Sequence, residues 1–262
     1  MTSNLGPTLR VIGALGWRSV KQTFRRPQLL SPIVIFPSLL LAIQTGGAGA
    51  AINLHGFPHV NGFLDFMLAG AMIQSTLLAA NSGGIALAVD IEMGFTDRLF
   101  AAPVPRFAIV AGRLVGTAAL GAFAGVWFVA LGLIFGAQIE SGIGGAVLIV
   151  ALVTLSAVAF GGIGAAIALR TGSASVVQGL FPLVFVILFL SSAFFPQSLI
   201  LEPAKTIAAI NPISFIVNGI RNPVISTLSV SDLAKALTAL AAVAAFSVWL
   251  SAGALRARLA RG

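Results

Sequence analysis

The chain has no cysteine and no tyrosine, and only three lysines, at positions 21, 205 and 235. Without cysteine there is no disulfide, no thiolate metal site and no cysteine nucleophile. Charge is scarce too: Asp, Glu, Lys and Arg make up 8% of the 262 residues, where soluble domains carry about 25%. So small a charged fraction could not cover a water-facing surface, which excludes a soluble enzyme. A hydrophobic content of 58% excludes a disordered chain. No Gly-Lys-Ser or Gly-Lys-Thr occurs, so there is no P-loop and no ATP binding by that route. Ser/His/Asp and Cys/His sets and the HExxH motif are missing as well, and no catalytic centre is expected. His55 and His59 share one loop without an acidic partner nearby in sequence and read as surface residues, not metal ligands.

What is present is apolar sequence in long blocks, with a mean hydropathy of +1.05. Crossing a hydrocarbon core of about 30 Å takes roughly 20 apolar residues. Six segments qualify: 32–52, 66–89, 114–135, 143–169, 176–195 and 233–255. The chain reads as one all-α membrane domain over 1–262, with an amphipathic leader (1–28), a six-span bundle (29–255) and a basic tail (256–262). The first apolar run starts only near Leu29, after a polar, basic leader, and is itself span-length, so no signal peptide is expected. The net charge of +8 does not point to nucleic acid, because the basic residues lie between apolar blocks and form no dense patch. They orient the bundle instead. With both termini in the cytosol, that side holds Arg10, Arg18, Lys21, Arg25, Arg26, Arg98, Arg106, Arg113, Arg170, Arg256, Arg258 and Arg261. The other side holds Lys205, Arg221 and Lys235, giving 12 basic residues against 3.

Arg10, Arg18, Lys21 and Arg25 of the leader fall within an arc of about 80° at helical spacing. Leu9, Ile12, Gly16, Val20 and Phe24 occupy the adjoining arc. This predicts an amphipathic helix in the cytosolic interface with its apolar side in lipid. Between the second and third spans, Ile91, Phe95 and Leu99 recur at i, i+4 and i+8, so a short helix there has one apolar stripe with Glu92, Asp97 and Arg98 off it. Pro103 and Pro105 end it. Such a helix could dock a soluble partner, or the stretch could be a solvated turn. From Pro196 to Ser231 the chain is apolar yet broken by prolines. Its pieces fit short re-entrant or interfacial helices on the outer side, or an external cap.

The interior of the spans carries no acidic or basic residue, whereas ion-driven carriers use intramembrane carboxylates or histidines. Gln44, Gln74, Asn81 and Gln178 read as interhelical hydrogen-bonding groups, with substrate contact as the alternative. Gly121 and Gly125 form a GxxxG spacing suited to close helix contact.

Two stretches resemble the ABC-2 type permeases, the membrane subunits of exporters similar to the daunorubicin-resistance and nodulation-export permeases. The first holds Glu92, Gly94, Arg98-Leu99, Pro103-Val104, Arg106 and Gly112-Arg113; the second runs from Asn211-Pro212 to Arg221. The likeness covers the chain in order: leader, six spans, motif loop, broken outer segment. It implies a type V transporter fold in which two six-span subunits pair, as homo- or heterodimer, over two P-loop ATPase subunits. Residues 9–26 would be the connecting helix and 91–101 the coupling helix. Glu92, Gly94, Asp97, Arg98, Leu99, Pro103 and Arg106 would serve the coupling to the ATPase, with Glu92, Asp97 and Arg98 facing the ATPase or the connecting helix. Asn211, Pro212 and Arg221 would belong to an external gate region. ATP and Mg would bind in the partner, with no cofactor or metal in this chain. Gln74, Asn81, Gln178, Phe181 and Phe185 are the candidates for a substrate pathway. Ala102 stands where the family often has Ser, and the lack of Tyr disfavours a sugar polymer. The expected function is therefore export of a hydrophobic drug- or lipid-like molecule across the plasma (inner) membrane. A passive channel, an ion-coupled carrier and a membrane anchor for a soluble enzyme are the alternatives.

Overall fold

The computed structural model describes residues 5–25, 27–101 and 105–259. Arg26, Ala102, Pro103, Val104 and Arg261 of the sequence reading lie outside them. The described residues fold into helices: α1 (Leu5–Phe24), α2 (Pro27–Ala48), α3 (Phe63–Glu92), α4 (Phe95–Ala101), α5 (Arg106–Ile134) and α6 (Gly142–Thr171), then α7 (Ala174–Gly179), α8 (Phe181–Phe189), α9 (Ala204–Ile210), α10 (Pro212–Ile225) and α11 (Val230–Leu259). Among the described residues five helices are long and apolar enough to cross a membrane: α2 with the 3-10 turn that follows it, α3, α5, α6 and α11. They take up the first, second, third, fourth and sixth predicted segments. At 1.5 Å per residue the 30 residues of α3 reach about 45 Å.

α3 is the central post. Its most apolar stretch is 89% buried, against 22% in α2 and α11. It packs against α2, α5, α6, α7 and α10. Small residues set the closest approaches: a Cβ on Gly84 would lie 3.0 Å from the backbone of Gly164 on α6. Gly121 and Gly125 of α5 both face α6, where added Cβ atoms would meet Ala157 at 2.5 Å and the Val150 backbone at 3.1 Å. The side-chain-free faces let backbones approach and gain dispersion contacts, the main source of helix association in lipid.

The fifth predicted segment, 176–195, is not a single helix. α7 and α8 together cover 174–189 with a break at Leu180, and a turn follows. Gly179 weakens the helix, and Pro182 has no N–H for the Gln178 carbonyl. The broken piece nevertheless runs far along α3. At one end Glu92 meets Ala174; at the other, Gly70 lies against Ala193, whose carbonyl an added Cβ would meet at 2.6 Å. Those two points lie about 33 Å apart along α3.

The leader forms a helix as expected, and one of its faces packs on the bundle. α1 runs parallel to α5, with Leu15 against Gly112, Gly16 against Val115, Ser19 against Gly116 and Phe24 edge-on to Phe123 at 5.8 Å. Its buried face centres on Gly16, Ser19 and Thr23, while Leu9 is 63% exposed. The packed face is thus rotated away from the apolar arc toward small hydroxyl residues, because glycines on α5 offer a groove that only small side chains can enter. α1 lies on α5, not with its whole apolar side in lipid.

Candidate functional site

The loop with the first motif forms one end of the bundle, where α3 stops, α4 turns and α5 begins. The expected helix over 91–101 is in two pieces. Ile91 and Glu92 close α3, the chain reverses at Met93-Gly94, and α4 starts at Phe95. Gly94 makes the reversal with φ +68°, a left-handed conformation that side-chain-bearing residues resist. The Gly94 N–H then donates to Ile91 O at 2.9 Å. On α4, Thr96 is fully buried, Phe95 and Leu99 are half-buried, and Asp97 and Arg98 point outward.

Beneath α4 lies a buried ion cluster. Arg113 of α5 donates to Asp90 of α3 in a tight ion pair, with side chains 6% and 5% exposed. Arg113 also donates to Ala86 O at 2.9 Å, to Ser19 Oγ at 3.4 Å and to Gln22 Oε1 at 3.5 Å. Arg18 of α1 reaches the same Asp90 carboxylate at 3.4 Å while its guanidinium covers the Phe95 ring of α4 at 3.8 Å. One carboxylate therefore joins α1, α3 and α5, and Arg18 adds α4. By sequence alone Arg113 counts among the orienting charges, and Asp90 draws no notice. The available signal was positional: Asp90 directly follows one apolar segment and Arg113 directly precedes the next, so a helical hairpin brings them face to face.

The two other acids of the loop reach away from α1. Glu92 Oε1 accepts the N–H of Ala174 at 2.8 Å, placing a carboxylate at the start of α7. Asp97 pairs with Arg258 near the end of α11 at 3.1 Å. Arg98 and Arg106 are exposed and form no ion pair among the described residues.

Farther along α3 an apolar cavity of about 160 Å³ opens between α3, α6, α7 and α8. Leu77, Phe160, Ile163, Leu180, Phe181 and Val184 form much of its wall, and Asn81 is the one polar side chain among the described lining residues. Of the five pathway candidates, the cavity gathers Asn81 and Phe181. Phe185 stands behind, edge-on to Phe181 at 4.9 Å and to Phe36 of α2 at 6.1 Å. Gln74 is 1% exposed, with neither amide atom hydrogen-bonded. It shares the Asn81 face of α3 two turns away but does not line the cavity. Gln178 is exposed on α7.

The second motif clasps the far end. Asn211 caps α10 by accepting the Ile213 N–H at 2.9 Å, and donates to Ile187 O and Leu190 O at the end of α8. Pro212 occupies the first turn of α10, where a missing N–H costs nothing. Arg221, counted in the sequence as an outer-side loop charge, is 5% exposed. It donates to Phe66 O (3.1 Å), Ser192 O (3.0 Å), Ala193 O (2.9 Å) and Asn218 Oδ1 (3.1 Å), and its guanidinium lies 3.8 Å from the Phe66 ring centroid. α10 is thereby inserted against α3, α6 and α11, whereas α9 is mostly exposed.

Residues 10–224 match the profile of the family described as ABC-2 type transporter. The chain is also similar to a protein of Porphyra purpurea named as a transport permease, ycf38. The two are 29% identical over 219 residues, which cover 81% of this chain and 73% of the relative.

Proposed function

The chain belongs to the family of ABC-2 type transporters, and on that premise we propose that it forms the membrane pathway of an ATP-driven exporter. The family match identifies it as a transport permease, and its 262 residues contain no P-loop motif. In this reading two permease subunits, identical or not, lie in the plasma (inner) membrane, and two P-loop ATPases that bind ATP and Mg dock below them. The α4 end and both termini face the cytosol, consistent with Arg98, Arg106, Arg170, Arg256 and Arg258 at that end. α7 and α8 make the fifth of six crossings, in broken form. The outer clasp of α9 and α10 is the re-entrant gate region of a type V fold. The cargo is a hydrophobic drug- or lipid-like molecule, so the chain would serve efflux or drug resistance. Apolar walls with a single amide favour such a molecule, since an unpaired charge entering the cavity would lose its hydration without a partner.

The observation that carries the reading is that α4 and the adjoining end of α3 are tied together by side-chain links to α1, α5, α7 and α11. Arg18 stacks on Phe95 from α1 and binds Asp90, Arg113 joins Asp90 from α5, and Asp97 grips α11. The adjoining Glu92 holds α7, which walls the cavity. Closure of the ATPase dimer against exposed Arg98 and Asp97 would then displace α7 together with α1 and α5. Glu92→Ala combined with Arg98→Ala is expected to leave membrane insertion intact and to abolish substrate-stimulated ATP hydrolysis in the reconstituted complex. Unchanged stimulation would overturn the coupling role. Gentle solubilisation should also recover a vanadate-sensitive P-loop ATPase with the permease. A chain that purifies alone and conducts without nucleotide would overturn the exporter reading in favour of a channel.

A further inference from the structure

α5 and α11 both pack along α6 but make little contact with one another. Between them is an open furrow of about 270 Å³. Gly162 lies on its floor, where an added Cβ would come within 2.5 Å of Ser247 Oγ, so the absent side chain lets α11 pack directly on α6 along the furrow. Phe107 and Leu114 mark its length on α5, and Val248 and Leu255 mark it on α11. Seven residues of helical rise make this about 10 Å along the bundle axis. The two hydroxyls in it are turned inward: Ser251 Oγ donates to Gly162 O at 2.8 Å and Ser247 Oγ to Ala244 O at 2.9 Å. They offer a ligand no free proton, so the lining presents hydrocarbon. At the α4 end the furrow finishes beside two cations. Arg106 immediately precedes Phe107, and Arg256 immediately follows Leu255. Both are exposed, and neither has an ion-pair partner among the described residues.

We propose that this furrow seats an acyl chain of an anionic phospholipid from the leaflet on the α4 side, with its phosphate held by Arg106 and Arg256. Charge complementarity selects the occupant: an apolar slot ending at two unpaired guanidinium groups matches a molecule with a long hydrocarbon chain and a terminal phosphate. The lipid bridges two helices that barely touch directly. One of them, α11, also holds α4 through Arg258 and Asp97. On the coupling reading given above, the seated lipid would therefore stiffen the support of α4 and make ATPase coupling depend on anionic lipid.

The test reads lipid retention directly, so it stands apart from any assay of transport. The purified chain is exchanged into mixed micelles of phosphatidylcholine and phosphatidylglycerol, and retained lipid is counted by native mass spectrometry. The wild type is expected to keep phosphatidylglycerol selectively. Arg106→Gln with Arg256→Gln should weaken that retention roughly tenfold or more. Ala252→Trp, which keeps both charges and fills the slot from an exposed position, should reduce it as well. Equal retention of the two lipids, or no loss in either variant, would overturn the proposal. So would competition by inorganic phosphate, which would indicate a free-anion site. A disulfide-linked dimer from Ala252→Cys would also overturn it by assigning the furrow to a second copy; with no native cysteine that product would be unambiguous.

Discussion

Replacing Asp90 with asparagine leaves Arg113, whose side chain is 6% exposed, charged and without its counter-ion inside the bundle. Removing one member of a buried ion pair costs about 3–5 kcal/mol. The Arg18 contact contributes far less, because that guanidinium is 41% exposed and exposed pairs contribute about 0–1 kcal/mol. Asp90→Asn should therefore lose about 3 kcal/mol or more, nearly all of it through Arg113. Arg113→Gln should be milder, since Arg18 already stands 3.4 Å from the carboxylate and can move closer. In the double variant no charge is left buried and the two amides can hydrogen-bond, so its loss should fall to about 1–2 kcal/mol. The cycle then gives a coupling of about 2–3 kcal/mol in favour of the native pair. The measurement is unfolding of all four proteins by denaturing detergent titrated into mild micelles, followed by the fluorescence of the three tryptophans. A double variant as unstable as the sum of the singles would refute the view that the pair is held as a unit. An Asp90→Asn protein within about 0.5 kcal/mol of the wild type would refute its burial.

Arg221→Lys keeps the charge but cannot fork to three separate carbonyls and Asn218. With at least two charge-assisted bonds lost, it should lower stability by about 3 kcal/mol or more; an unchanged melting temperature would count against the clasp. Gly94→Ala places a side chain at φ +68°, a cost of about 1–2 kcal/mol, and Gly94→Asn should be better tolerated. Substrate-stimulated ATP hydrolysis should accordingly fall in the order Gly, Asn, Ala, and equal activity in all three would show that the turn geometry is irrelevant. Asn81→Leu removes the cavity's one polar side chain without adding much bulk. In a panel of lipophilic compounds it should weaken stimulation by hydrogen-bonding members roughly tenfold and spare pure hydrocarbons; a uniform loss would refute a positioning role for the amide.

The long helices were legible because lipid imposes a simple rule: a crossing helix must satisfy its backbone internally and cover itself with apolar side chains, and hydropathy reports both. That signal fails for the fifth segment. Its residues are as apolar as the others, yet Gly179 and Pro182 interrupt the backbone ladder, and hydropathy cannot see a missing N–H donor. On α1, side-chain polarity marks the apolar arc whose Leu9 and Phe24 stay exposed, but it does not mark the packed face: glycines at 112 and 116 on a distant stretch decide which face can approach, and they select Gly16, Ser19 and Thr23. Arg221 looked like a solvated loop charge because its acceptors are backbone carbonyls, which leave no mark in the sequence. Asp90 and Arg113 left a trace in their positions at the facing ends of successive apolar segments. The motif loop was visible in outline; that Glu92 and Asp97 reach α7 and α11, not α1, depends on where later helices end.

These gaps follow the division of labour in the fold. Where helices must stay fixed, between α3, α5 and α6, small residues bring backbones to contact distance, and sliding one helix would cost many dispersion contacts at once. Where the wall borders the cavity, the chain uses the opposite design. α7 and α8 are short and broken, with Val176, Leu183, Val186 and Phe189 more than 40% exposed. This wall is fastened chiefly at its ends, by Glu92 at the start of α7 and by Asn211 and Arg221 around the turn after α8. A segment clamped at both ends and interrupted in the middle can bend at Leu180 with little loss of packing elsewhere. The same two motifs that are most distinctive in the sequence supply those clamps. A displacement entering through the α4 loop therefore meets a rigid post in α3 and a compliant wall in α7–α8, and the wall is where it should be absorbed.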